Sequence, residues 1–238
     1  RRDFLDRACR STAAIGFLPL VAGYAETGET SEKPNILWLI AEDFCPDLGC
    51  YGNEVVETPN IDRLAAEGTL FTNAFTSAPI CSPSRSGFMT AMYQTRIDAH
   101  NHRSNREQPL AAPVKVITEY FQNAGYYTSN GQGLNWEKFG KCDWNFKFPR
   151  PKPFRGTHWT GRAKGQPFYS QFNFHPTHRD FQPDPSNPVD PATVKILPYY
   201  PDHPVTRKDF ALYHEYTQVL DQGVGRILQD LEDQGLAD

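Results

Sequence analysis

Apolar and polar positions follow two rhythms along this chain. Ile36-Leu37-Trp38-Leu39-Ile40-Ala41 is an unbroken apolar run, the pattern of a strand buried on both faces of a parallel sheet. Behind Thr58-Pro59, Ile61, Leu64 and Ala65 space a helical stripe that Gly68 ends. A capping residue followed by proline at the first helical position is a start signal, and glycine a stop. Ser86 to Met92 reads as the opening of a second helix. Val114, Ile117, Tyr120 and Phe121 mark a third, closed by Gly125 and followed by the strand-like Tyr126-Tyr127-Thr128. Phe168 to Phe174 alternates over part of its length, as strands do. From Phe210 on, Leu212, Tyr216, Val219, Leu220, Ile227, Leu228 and Leu231 share one broad side of a long helix, with Gly235 at its C-cap. Between Pro183 and Pro204 lie seven prolines without periodicity, which predicts a long surface loop of the kind that rims a cleft. Strand, helix, helix, strand in this order predicts an α/β fold.

Composition narrows the function classes. Of 238 residues, 39% are hydrophobic and 13% aromatic, enough for a real core and against wholesale disorder. The net charge of −4 argues against a non-specific grip on nucleic-acid phosphates, which needs concentrated Lys and Arg. The length suits one large α/β domain or two small ones.

The N-terminus reads as an address. Arg1-Arg2-Asp3-Phe4-Leu5 precedes an uncharged stretch from Ala13 to Gly23, too short to span a bilayer as a helix. A basic start, a short apolar centre and a small-residue exit describe a secretion signal over residues 1–27, and the Arg-Arg-x-Phe-Leu opening resembles a bacterial twin-arginine signal. The competing reading is a buried helix with two incidental arginines. Residues 28–33 are a polar linker, and 34–238 form the folded part. Export machinery is thus an expected partner, a stable membrane anchor is not, and the expected location is periplasmic or extracellular. An exported chain tolerates disulfides, yet the five cysteines are odd in number and include no C-x-x-C pair, which disfavours a zinc knuckle. Cys45–Cys50 and Cys50–Cys142 are both candidate bridges.

Three groups of residues carry chemistry. Glu42-Asp43 follows the first strand. Ligands bind outside the carboxyl ends of strands in open α/β sheets, so two carboxylates there suit a hard divalent cation; two solvated loop charges are the alternative. Cys81-Ser82-Pro83-Ser84-Arg85 stands before a helix start, where amide donors and the helix dipole hold anions and a guanidinium can fork onto an oxyanion. Gly140-Lys141-Cys142-Asp143 and His175-Pro-Thr-His178 supply basic and imidazole groups. Pro176 disfavours the helical geometry with which H-x-x-H binds zinc.

The string Cys81-Ser82-Pro83-Ser84-Arg85-Ser86-Gly87-Phe88-Met89-Thr90 closely resembles the signature of the type I, formylglycine-dependent sulfatases, C-x-P-S-R-x-x-x-[LM]-T-G. Pro34 to Asp43, Leu48-Gly49-Cys50-Tyr51-Gly52 and Thr58 to Ala65 resemble the same family's N-terminal region, and the likeness covers nearly all of 33–238. The resemblance implies an alkaline-phosphatase-like three-layer α/β sandwich with a mixed, mostly parallel sheet. It implies a hydrolase that releases sulfate from a sulfated carbohydrate or other sulfate ester. Its nucleophile would be formylglycine made from Cys81 by a formylglycine-generating enzyme that reads the Cys-x-Pro-x-Arg core. Glu42, Asp43 and residue 81 would hold one Ca2+, Arg85 and Lys141 would contact the sulfate, and His178 would protonate the leaving group. His175, His100, His102 and Asp143 are weaker candidates for the sugar side. A phosphatase or phosphodiesterase of the same superfamily and a non-catalytic glycan-binding relative are the alternatives.

The chain departs from the family pattern in three places. Glu42-Asp43 replaces the usual Asp-Asp, and Ala91 replaces the signature's last Gly. Gly-Lys-Cys-Asp stands for Gly-Lys-Trp-His, which puts Asp143 where a His usually assists the formylglycine and, with Trp144-Asn145-Phe146, is similar to the heparan N-sulfatase-like branch. The family's second pair of metal ligands and a further Lys belong beyond Asp238. The chain is therefore expected to be the N-terminal part of a larger enzyme, inactive and weak in Ca2+ binding by itself.

Overall fold

The computed structural model describes residues 33–148 and 152–237; the signal expected at 1–27 and most of the linker at 28–33 lie outside them. Three parallel strands form the sheet: β1 (Ile36–Ala41), β2 (Tyr127–Gln132) and β3 (Phe168–Phe174), in the order β1-β3-β2. The register pairs Ile36 with Tyr169 and Tyr127 with Phe168. β3 is buried at every position, whereas β1 is only half-buried. The unbroken apolar run of β1 predicts burial on both faces. Among the described strands, however, β1 lies at the edge and β3 takes the centre.

The pleat of β3 sorts its side chains between two helical layers. Phe168, Phe172 and Phe174 point to one face, where they pack with Leu220, Val224, Ile227 and Leu228 of α4 (Pro204–Asp233). Tyr169 points to the other, into a cluster with Met89, Val116, Trp144 and Phe146. Gln171 and Asn173 share that second face; Gln171 donates to the Tyr169 hydroxyl at 2.6 Å, and Asn173 to Asn130 at 2.5 Å. α2 (Cys81–Thr90) and α3 (Ile117–Asn123) supply residues to this side. The sheet is therefore sandwiched between helices, in three layers.

α1 (Pro59–Glu67) buries none of its own residues. It is docked by a long-range cap: Asp221 of α4 accepts from the backbone N–H of Ile61 at 2.8 Å and from Asn60 Nδ2 at 2.7 Å. Pro204 already opens α4, and the 183–203 segment before it has no helix or strand, in line with its prolines. Buried Glu215 anchors it by accepting from the backbone N–H of Asp184 at 2.7 Å and of Val189 at 3.1 Å. Cys45, Cys50, Cys81 and Cys142 are all free thiols, so neither candidate bridge forms. Among the described residues no helix is long and apolar enough to cross a membrane.

Candidate active site

The site gathers where the carboxyl ends of β1 and β3 meet the start of α2. Helix α2 begins at Cys81 itself, five residues before the stretch whose pattern announces it. Pro83 fits this early start because the first-turn N–H groups have no intrahelical partner to lose. Ile80 caps the helix with extended backbone and no side-chain hydrogen bond, and the first turn carries no acidic residue. The positive end of the helix dipole at Cys81 thus has no compensating charge within the helix's own first turn.

Glu42 follows β1 on the face shared with Gln171 and Asn173, and it is buried. Its Oε1 pairs with Arg85 Nη2, and its Oε2 accepts from Lys141 Nζ at 2.6 Å. Arg85 Nη1 donates to Asn173 Oδ1 at 2.5 Å and to the Lys141 carbonyl at 3.4 Å. The guanidinium fork is therefore turned onto Glu42 and Asn173. Asn173 in turn binds Asn130, whose Nδ2 reaches Cys142 Sγ at 3.0 Å. Burial pushes the Cys142 thiol up to about 11, against the opposing Asn130 hydrogen bond, so it stays protonated and inert near neutrality. Thr177 Oγ1 donates to the Glu42 carbonyl and ties the 175–178 turn to the same point.

Asp43 turns the chain at φ 41°, a left-handed conformation that Asp tolerates better than most residues. Its Oδ2 lies 3.6 Å from His178 Nε2. His178 Nδ1 sits 2.5 Å from the Arg179 carbonyl. A carbonyl only accepts, so Nδ1 carries the proton and Nε2 faces Asp43. Ligand atoms of Glu42, Asp43, Cys81 and His178 all lie within 4.8 Å of one another. Residues from three separate stretches of sequence thus converge on one point, with Arg85 and Lys141 against it. Here the Sγ of Cys81 stands where a formylglycine would present its oxygens.

The weaker candidates divide. His175 stacks on His178, ring centroids 4.8 Å apart. Asp143 lies buried outside the cluster, where Arg103 Nη2 reaches it at 2.7 Å and Arg106 Nη2 also pairs with it. Burial alone would raise its pKa, but the two guanidiniums together hold it below the usual carboxylate value. His100 and His102 sit on an exposed loop. From that loop it is Arg103 and Arg106 that reach a candidate residue, Asp143. Sequence reasoning passed over Arg103, Asn130, Asn173 and Thr177. The visible signal for Asn173 was a polar residue alternating with phenylalanines in a buried strand.

A parallel sheet between helical layers, with a metal-type cluster at its strand ends, places the molecule among the alkaline-phosphatase-like α/β proteins. More narrowly, the chain belongs to the sulfatase family, whose model matches residues 34–160. It is 28% identical to an ulvan-active sulfatase of Formosa agariphila over 86% of this chain and 42% of that protein. It is 36% identical to an N-acetylgalactosamine-6-O-sulfatase of Bacteroides thetaiotaomicron over 47% of this chain and 24% of the other. The chain therefore spans less than half the length of these relatives. In fold it is similar to a phosphonate monoester hydrolase of Agrobacterium radiobacter, with TM-score 0.59 and 19% identity over 86% of this chain and 60% of that one. Sulfatase membership implies a formylglycine and a divalent cation. The donors fit both: two hard carboxylates, with lone pairs beyond those Arg85 and Lys141 take, beside residue 81.

Proposed function

We propose that the protein is a sulfuric ester hydrolase that releases sulfate from a sulfated glycan, with Cys81 converted to formylglycine. The observation that carries this reading is the place of Cys81. It heads α2 within the Cys-x-Pro-x-Arg core and lies inside the cluster of Glu42, Asp43 and His178. Converted to formylglycine, residue 81 supplies a hydrated aldehyde, with one oxygen to attack sulfur and a second to expel the sulfate afterwards. Ca2+ is the cation proposed, held by Glu42, Asp43 and residue 81, to draw charge from the sulfate oxygens.

The chain's own residues do the rest. Glu42 and Asp43 balance Arg85 and Lys141, so the protein groups are close to neutral together and a bound cation makes the pocket positive. An anionic sulfate ester suits that field. Arg85 holds Glu42 in place and adds charge from behind it. Lys141, a quarter exposed on its side chain, can swing from Glu42 toward a sulfate oxygen. His178 is the acid: its Nδ1–H is fixed on the Arg179 carbonyl and its Nε2 is turned into the cluster beside Asp43, where it can hand a proton to the leaving group. Residues 34–238 are the N-terminal part of the catalytic domain, behind a twin-arginine-type signal at 1–27 and a linker at 28–33. Export machinery and a formylglycine-generating enzyme are the partners, and the protein acts outside the cytoplasm.

Mass spectrometry of the Cys81 peptide, on full-length protein from its native host, is expected to find the aldehyde in place of the thiol. Assayed side by side, sulfate esters should be hydrolysed in preference to phosphate esters, and Cys81→Ala should abolish release with the fold intact. An unmodified thiol would favour a binding role, and phosphate preference a phosphatase.

A further inference from the structure

Outside the cluster, the structure holds a second concentration of charge that the proposed hydrolysis does not use. Buried Asp143 is shared by two guanidiniums: Arg103 bonds it through Nε at 3.0 Å and Nη2 at 2.7 Å, and Arg106 through Nη2. One carboxylate neutralises one of them. Both arginine side chains remain 49% exposed, and among the described residues their other N–H groups have no protein partner. That leaves a net positive charge and free N–H donors on the surface, the groups with which arginine recognises carboxylate and sulfo oxygens.

Both guanidiniums meet at the one carboxylate of Asp143. Arg106 lines a cavity of about 530 Å³ with Lys147, Lys152, Glu107, Trp144 and Phe148. Three cations against one carboxylate leave that cavity positive. Phe148 is 47% exposed and stacks on Trp144 at 4.7 Å and 12°, so a flat apolar face lies beside the charges. A pyranose ring offers the matching pair of features, an apolar C–H face and charged substituents at its edge.

The arrangement is held before any ligand arrives. Asn145 Oδ1 accepts from the backbone N–H of Asn105 at 2.8 Å, its Nδ2 donates to the Asn101 carbonyl at 2.5 Å, and its own N–H donates to Ser86 of α2 at 2.8 Å. The loop carrying Arg103 and Arg106 is thereby fixed to the helix that carries Cys81. Such preorganisation lowers the ordering cost of binding.

We infer that Arg103, Arg106 and Lys147, oriented by Asp143, form a second anion-binding subsite that takes another anionic group of the same sulfated saccharide, a sulfo or a carboxylate group. The inference rests on the sulfatase reading for the group that is cleaved, and Asp143 acts in it as a positioning residue.

The test separates the two. In full-length Cys81→Ala protein, which cannot turn over, calorimetry measures binding of three probes. These are N-acetylgalactosamine 6-sulfate, its 4,6-disulfate, and the 6-sulfate linked to glucuronate. At least one two-anion probe should bind tenfold or more tightly than the first, and which one does tells sulfo from carboxylate. Arg106→Ala and Lys147→Ala should each cut that advantage to less than threefold and flatten the salt dependence of binding. Asp143→Asn, similar in shape but uncharged, should lose the advantage too, with thermal stability recorded alongside. Equal affinity for all three probes, or an advantage that survives Arg106→Ala, overturns the subsite. Sulfate release by the wild type is measured in parallel. Its failure with the binding preference intact would count against the hydrolase reading alone.

Discussion

Lys141 Nζ donates a 2.6 Å hydrogen bond to Glu42 Oε2 across 99 residues of chain, while Arg85 holds the other oxygen of the same carboxylate. One buried anion thus fixes two cations from two segments beside Cys81. Removing one partner of a buried pair leaves an uncompensated charge, at a cost of about 3–5 kcal/mol. Glu42→Gln is therefore expected to destabilise the fold by about 3 kcal/mol, the low end because Lys141 can reach solvent. Glu42→Asp keeps the charge and should cost less. Urea midpoints for both variants check this, and equal losses would mean that shape rather than charge is at stake.

Asp221 caps α1 from another helix, and beside this cap α1 has only the half-buried Ile61 on the core and the exposed Arg63–Glu232 pair to dock it. Loss of a helix cap costs about 0.5–2 kcal/mol, and here half-buried donors are also left unpaired. Asp221→Ala is expected to cost about 2 kcal/mol and to raise hydrogen exchange at Asn60 and Ile61 first. Loss of protection spread evenly over the sheet would contradict a local cap.

Two effects oppose each other at Gly223 in α4. Ala gains up to about 1 kcal/mol over Gly in helix propensity. A Cβ there would lie 2.6 Å from Leu134 Cδ2 and 2.8 Å from Phe174 Cε1. Leu134 is the end of a flexible side chain and can move, but the Phe174 ring is fully buried. Overpacking costs about 1–3 kcal/mol and should win, so Gly223→Ala is expected to lower the melting temperature. A rise would show that the core relaxes around the new methyl.

The elements were legible where a single rhythm ran long enough. Phe168–Phe174 is a strand and the stretch beyond Phe210 a helix, as their patterns predict, although β3 is buried on both faces and α4 begins six residues earlier, at Pro204. Helix α2 starts at Cys81, ahead of the Ser86–Met92 stretch that reads as helix, since its first turn carries the signature Cys-Ser-Pro-Ser in place of an apolar stripe. Glu42, Asp43, Cys81, Arg85, Lys141 and His178 could be named from motifs, and they stand together. What motifs could not give was the use of each charge. That Arg85 turns to Glu42, and that Asp143 belongs to Arg103 and Arg106, depends on how loops separated by dozens of residues fold over one another, and local sequence does not encode it.

Two imidazoles set a pH dependence of stability. Burial pushes His214 below the usual imidazole value against the pull of Asp47. Burial does the same to His158, with Asp230 opposing and Arg162 assisting. Below 6.5 the unfolded chain takes up protons at both rings while the folded chain does not, so the unfolded state binds more protons and gains stability. Native stability should therefore rise with pH from each depressed folded value up to 6.5, then level off. Each ring contributes at most about 1.4 kcal/mol per pH unit within its window. His214→Gln is uncharged throughout, so its profile should be flatter than wild type between pH 5 and 6.5 and parallel to it above pH 7. Carboxylates titrate alike in both proteins, and the difference between the two profiles isolates His214. Urea midpoints across that range supply the measurement. A wild-type profile that falls with rising pH toward 6.5 relative to the variant would reverse the sign and refute the assignment.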